Sequence, residues 1–269
     1  MQDKHIHGSY HVEIIPPKQD SQKLEEDLVL FSEKLKRVQT SGFTASITDN
    51  AMGRLAFQGC ECIEELGLTV DPEKIMIHLN AFHTKEGLDE ILSACTRLGI
   101  RTILAVSGDG SPRLPRLKPE ELGITNAGAV TSVELIRYIR SNYPELNVGC
   151  AFNPYEPETE EFEKMERKLA AGARFVVTQP IIEKNPLVDK LIEKHPDLPL
   201  SIEIWMSPKL YLLSDVVGYP IPTDASYDPI ATLETLRAEY SGCGVYLSLL
   251  GFKTQYDAVE ALFSNRTDS

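Results

Sequence analysis

Short apolar runs alternate with amphipathic ones along the chain. Y-H-V-E-I-I at 10 to 15 is the first, and Pro16-Pro17 stops it by removing two backbone donors. Apolar runs recur at 43 to 48, 74 to 80, 101 to 107, 146 to 152, 174 to 180, 199 to 205 and 244 to 250. Between them, helical spacing marks 20 to 38, 53 to 66, 85 to 98, 130 to 142, 158 to 171, 185 to 195, 207 to 216, 227 to 240 and 253 to 264. The strand candidates are nearly continuous in apolar residues, the pattern of parallel strands covered on both faces. Strict alternation with helices predicts a parallel sheet. Eight such units in 269 residues predict a single (β/α)8 TIM barrel over 1–269, with 1–9 as an N-terminal extension. A doubly wound open sheet is the alternative, but no G-x-G-x-x-G follows the first run.

Charge and cysteine usage narrow the partners. The formal net charge of −13 argues against nucleic acid and anionic membrane surfaces. No apolar run approaches the roughly 20 residues of a membrane span, and M-Q-D-K-H-I-H-G-S-Y has no apolar signal core. Five cysteines are scattered in apolar contexts, and Cys60-x-Cys62 has no second ligand pair. The expectation is a cytoplasmic protein with reduced, mostly buried thiols and no metal site.

In such a barrel the chemistry sits where strands end and βα loops begin. Polar residues at those ends are Glu13, Thr48-Asp49-Asn50, His78 and Asn80, Asp109, Asn153, Thr178-Gln179 and Glu203. Glu13 is the most informative. Alternation puts it on the face opposite Val12 and Ile14, where a carboxylate is costly unless it is paired or works as an acid with a raised pKa. An internal salt bridge is the competing reading. His78 reads equally as a neutral core histidine, Asp49-Asn50 as a helix cap, and Glu203 as a structural pair. Asp109 lies in S-G-D-G, where a tight turn is the plain explanation. The basic candidates are Arg113, Arg116 and Lys118 in the loop after the fourth strand, and Arg167-Lys168 late in a helix.

The ordered segments V-E-I-I-P-P (12 to 17), H-L-N (78 to 80), G-I-R-T-I-L-A-V-S-G-D (99 to 109) and A-G-A-R-F-V-V-T-Q (171 to 179) resemble the methylenetetrahydrofolate reductase family. The resemblance implies a barrel that holds FAD at the carboxyl ends of its strands. The flavin takes hydride from NAD(P)H and reduces 5,10-methylenetetrahydrofolate to 5-methyltetrahydrofolate. It further implies Glu13 as general acid, Asp109 beside flavin and pterin, and Gln179 as a folate hydrogen-bonding partner. Cofactor contacts fall on Thr48, His78, Ser107, Gly108, Asp109, Arg167 and Lys168. The chain departs from the family pattern with Ile47-Thr48-Asp49-Asn50 where Thr-Tyr is common, and with Ser107 where an Arg is common. Glu161 and Lys164 stand for Asp and Asn. The seventh strand lacks a second folate-facing Gln, and the eighth lacks an Arg for the glutamate tail.

Two further readings differ in kind. One is a flavin-free reductase of the same folate. The other is a folate- or methyl-carrier-binding subunit acting with a partner protein. The partner expectations beyond folate and NAD(P)H are a homo-oligomer or an electron-transferring partner protein.

Overall fold

The computed structural model describes residues 10–125 and 127–264, so the expected extension at 1–9 lies outside the described residues. The strands are β1 (Tyr10–Ile14), β2 (Thr44–Ile47), β3 (Ile75–Leu79), β4 (Thr102–Ala105), β5 (Asn147–Phe152), β6 (Val176–Thr178), β7 (Leu200–Trp205) and β8 (Gly244–Ser248). The helices are α1 (Leu24–Thr40), α2 (Gly59–Glu65), α3 (Lys85–Leu98), α4 (Ser132–Asn142), α5 (Glu158–Ala170), α6 (Pro186–Lys194), α7 (Ser214–Val217), α8 (Pro229–Glu239) and α9 (Phe252–Ser264). The strands follow in chain order as a closed parallel barrel, so the (β/α)8 expectation holds.

Local chemistry sets these boundaries. α3 begins at Thr84, whose hydroxyl accepts from the Gly87 amide at 3.0 Å. It ends at Gly99, which takes the left-handed conformation at φ 73°. Leu88, Ile91, Leu92 and Cys95 recur at helical spacing and are buried. Each large apolar side chain among them contributes roughly 1.5–3 kcal/mol by leaving water. α4 opens with a capping box between Thr131 and Glu134. α6 opens on Asn185, whose side chain accepts from the Leu187 amide at 2.9 Å.

The chain packs as two compact units. One comprises 14–151 and 164–175, the other 10–13, 152–163 and 176–264 of the described residues. In the first, β2 to β5 pair in register, with Ile47 beside Ile77, His78 beside Leu104, and Ala105 beside Cys150. Gly149 faces Phe175 so closely that a β-carbon would sit 2.2 Å from its ring, which leaves no room for a side chain on β5 there. In the second unit β6, β7, β8 and β1 are neighbours, with Glu203 beside Tyr246 and His11 beside Tyr246. A cluster of Trp205, Leu210, Leu213 and Val217 fills the space after β7, with Tyr155 and Tyr227 packed against it. Among the described residues, no helix is long and apolar enough to cross a membrane.

Two segments differ from the sequence pattern. Residues 53 to 58 precede α2 instead of starting it, because Asn50 and Met52 take φ values of 45° and 59° and make a tight turn. The run at 207 to 216 is a short 3-10 turn at Leu210–Leu213 followed by one helical turn.

Candidate active site

The residues expected to carry chemistry divide cleanly. Glu13 and Gln179 belong to one unit; Thr48, His78, Ser107, Gly108, Asp109, Arg167 and Lys168 belong to the other.

Glu13 sits near the end of β1 on the face opposite Val12 and Ile14, both fully buried. The residue as a whole is half-buried, and desolvation dominates at its carboxyl. Burial pushes its pKa from an ordinary 4.5 up to about 7, against hydrogen bonds from Ser248 and Tyr246 that pull it down. The Ser248 and Tyr246 hydroxyls each donate to Glu13 Oε2 at 3.4 Å. Among the described residues no cation pairs with Glu13, so the internal salt bridge is absent. Glu203 lies on β7, register partner of Tyr246 on β8. Burial first, and then the Glu13 charge, push its carboxyl well above the ordinary range.

Gln179 follows β6. Its amide donates to the Phe152 carbonyl at 2.7 Å, and its side chain is half-buried. Pro180 after it gives its carbonyl to the Tyr155 hydroxyl at 2.9 Å. Glu161 is buried and accepts from the Asn153 amide at 2.9 Å, which fixes the end of β5 to α5.

In the other unit the strand ends are tied together by Asp49. Its side chain is fully buried and accepts from the Asn80 amide at 2.8 Å and the Gln58 amide group at 3.2 Å. The His83 ring meets it at 2.7 Å. Asn80 returns a bond from Nδ2 to the Asp49 carbonyl at 2.9 Å. Asp49 is therefore a hub between β2 and β3, beyond the helix cap that its local sequence suggests. His83 was not visible as a candidate, since the sequence signal is only a histidine three residues past Asn80.

Asp109 is exposed, and its carboxylate accepts from the Met52 amide at 3.2 Å. Residues 106–111 are irregular loop where the sequence suggested a tight turn, and the carboxylate joins this loop after β4 to the loop after β2. Gly108 sets the backbone path there. It has φ 77°, and a β-carbon there would lie 2.6 Å from Asn80. Ser107 is exposed beside it. Asp109→Ala is expected to cost under about 1 kcal/mol, because an exposed acceptor loses little. Hydrogen exchange at Met52 should nevertheless accelerate; an unchanged rate would leave the latch without effect.

His78, near the end of β3, has its pKa pushed down to about 4 by burial, so its ring is neutral at neutral pH. Thr48 Oγ1 is buried with no hydrogen-bond partner among the described residues. An orphaned hydroxyl of this kind costs about 1–3 kcal/mol unless a ligand meets it, so this strand end fits a polar group of a cofactor. Lys168 is buried and donates from Nζ to the Ala151 carbonyl of β5 at 2.6 Å. Arg167 is exposed on α5. Arg113 is spent on Asp20 at 2.8 Å, and Arg116 lies over the Phe82 ring at 5.4 Å.

Known proteins share this chain's sequence pattern and fold. A model of the methylenetetrahydrofolate reductase family matches residues 2–199. An uncharacterized protein from Clostridium thermocellum that binds two copies of 5-methyl-5,6,7,8-tetrahydrofolic acid has the same fold, with a TM-score of 0.60 and 15% identity. That match covers 95% of this chain and 93% of that one. A 2,3-dimethylmalate lyase gives a TM-score of 0.49 at 10% identity, over 97% of this chain and 80% of the other. Dihydropteroate synthase of Yersinia pestis gives 0.45 at 14% identity, over 98% and 99%.

Proposed function

The chain belongs to the methylenetetrahydrofolate reductase family, and we propose that it reduces 5,10-methylenetetrahydrofolate to 5-methyltetrahydrofolate with hydride from NAD(P)H through bound FAD. The observation that carries this reading is the place of Glu13: a carboxyl at a strand end, with no cation beside it among the described residues, whose pKa burial pushes up to about 7. Such a group can serve as an acid at working pH. Opening the imidazolidine ring of the substrate needs such an acid. The Glu13 O–H bond breaks as its proton bonds one ring nitrogen; the bond from that nitrogen to the methylene carbon then breaks with its electron pair staying on the nitrogen, and the lone pair of the other ring nitrogen forms the C=N⁺ bond of the iminium. Gln179 is assigned to hold the pterin by hydrogen bonds from its half-buried carboxamide.

Flavin, when bound, supplies the hydride that the iminium carbon accepts. The residues that would hold it are Thr48, His78, the Ser107-Gly108-Asp109 turn and Lys168, with Arg167 at the exposed edge. Thr48 offers an unpartnered hydroxyl. His78 offers a neutral ring, which does not attract or repel an anion. Lys168 offers a buried ammonium fixed by the β5 carbonyl. The fold relative's 5-methyltetrahydrofolate is the product this reaction forms, which supports a folate as the ligand.

The test is turnover by the purified protein. With FAD, NADH or NADPH and 5,10-methylenetetrahydrofolate, 5-methyltetrahydrofolate should accumulate as nicotinamide absorbance falls. No product above the protein-free control, with either nucleotide, rejects the reading. Turnover without any flavin absorbance in the protein selects the flavin-free alternative.

A further inference from the structure

Glu13 is not the only carboxyl on its face. His11, Tyr246 and Glu203 are register partners across β1, β8 and β7, so their side chains share one face. Glu13 and Ser248 each stand two residues further along their strands, on that same face. Ser248 donates to Glu13 Oε2 at 3.4 Å, as does Tyr246, the register neighbour of Glu203. Two acids from strands on either side of β8 therefore share one buried face. Among the described residues neither acid has a cation partner. Two carboxylates in one buried setting repel each other, and the cheapest remedy is to keep a proton between them.

We propose that Glu203 is a positioning residue for Glu13: the two carboxyl groups, on one face across β8, share a proton that keeps Glu13 in its acid form for the folate. This rests on the reductase reading for its purpose, though not for its existence. When Glu13 gives its proton to the ring nitrogen, its O–H bond breaks and a nitrogen–hydrogen bond forms. Both carboxyl groups are then carboxylates, and their mutual repulsion favours the return of one proton from water to the pair. The other titratable groups packed around the pair in this unit are Tyr246 on β8, His11 on β1, stacked on Tyr246 at 6.4 Å between ring centres, and Tyr155 after β5.

Infrared titration of protonated carboxyls in the full chain, without any ligand, tests the pair directly. The wild type should lose its two protons in separate steps. In Glu203→Gln the remaining Glu13 should titrate in one step, about one pH unit or more below the upper wild-type step. Glu13→Gln gives the mirror result for Glu203, and serves if the first variant does not fold. Wild-type curves that equal the sum of the two single variants overturn the shared proton. The alkaline limb of folate turnover should move to lower pH in Glu203→Gln by the same amount. A limb that stays in place while the infrared steps merge overturns the positioning role. If wild type shows coupled steps and no folate turnover at any pH, the pair stands and the reductase reading falls.

Discussion

Glu13→Gln is expected to lower folate reduction by about 10²- to 10⁴-fold, the usual loss for one general acid, while NAD(P)H oxidation by an artificial acceptor continues. Gln keeps the shape of the side chain and removes the transferable proton. Unchanged folate turnover would make Glu13 structural. The same variant carries a stability signature. In the folded chain the Glu13 carboxyl titrates at about 7, against 4.5 ordinarily, so between those values the native state holds a proton that the unfolded chain has lost. Stability therefore falls as pH rises from 4.5 to 7, by roughly 3 kcal/mol at about 1.4 kcal/mol per pH unit, and is level above that. The variant lacks this fall. Denaturant unfolding at pH 5 and pH 8 should show the difference between the two proteins moving toward the variant by about that amount. His78 acts in the opposite sense, because its pKa is depressed to about 4 and its stabilisation is lost as pH falls below 6.5. It is common to both proteins and cancels in the comparison.

Asp49→Ala should be the most damaging single change in the other unit. It leaves the Asn80 amide, the Gln58 side chain and the His83 ring without their buried acceptor. Each unsatisfied buried group costs about 1–3 kcal/mol, so a total on the order of 3–5 kcal/mol is expected. Asp49→Asn keeps one acceptor oxygen and should lose about half as much. Urea midpoints with an unchanged m-value would measure both. A loss below about 1 kcal/mol in Asp49→Ala would show that water replaces the carboxylate and that the hub is not buried in practice.

The strands were legible because barrel strands are apolar on both faces and their runs stand out against the helical spacing between them. Glu13 was legible for a related reason: a charge inside such a run can face only one way. What escaped the sequence was long-range company. His83 meets a carboxylate 34 residues away, and nothing near it in the chain announces this. Ser248 looks like an ordinary strand-end serine until β8 is laid beside β1. The start of α2 escaped because Met52, a good helix former, takes a left-handed conformation there. The loop after β2, held by the Asp109 carboxylate and by the Ala56 amide donating to Asn50 at 3.0 Å, overrides the local preference.

The distance along the chain between Glu13 and Ser248 has a consequence for synthesis. The acid leaves the ribosome early, and the hydroxyl that holds it follows 235 residues later. At about 5–20 residues per second, this is a delay of roughly 10 to 50 seconds. Throughout that interval the nascent chain carries an ordinary glutamate in water. The segment matching the family model is complete by residue 199, before Glu203, Tyr246 and Ser248 have been added. The burial that raises the Glu13 pKa is thus completed only with the final strand.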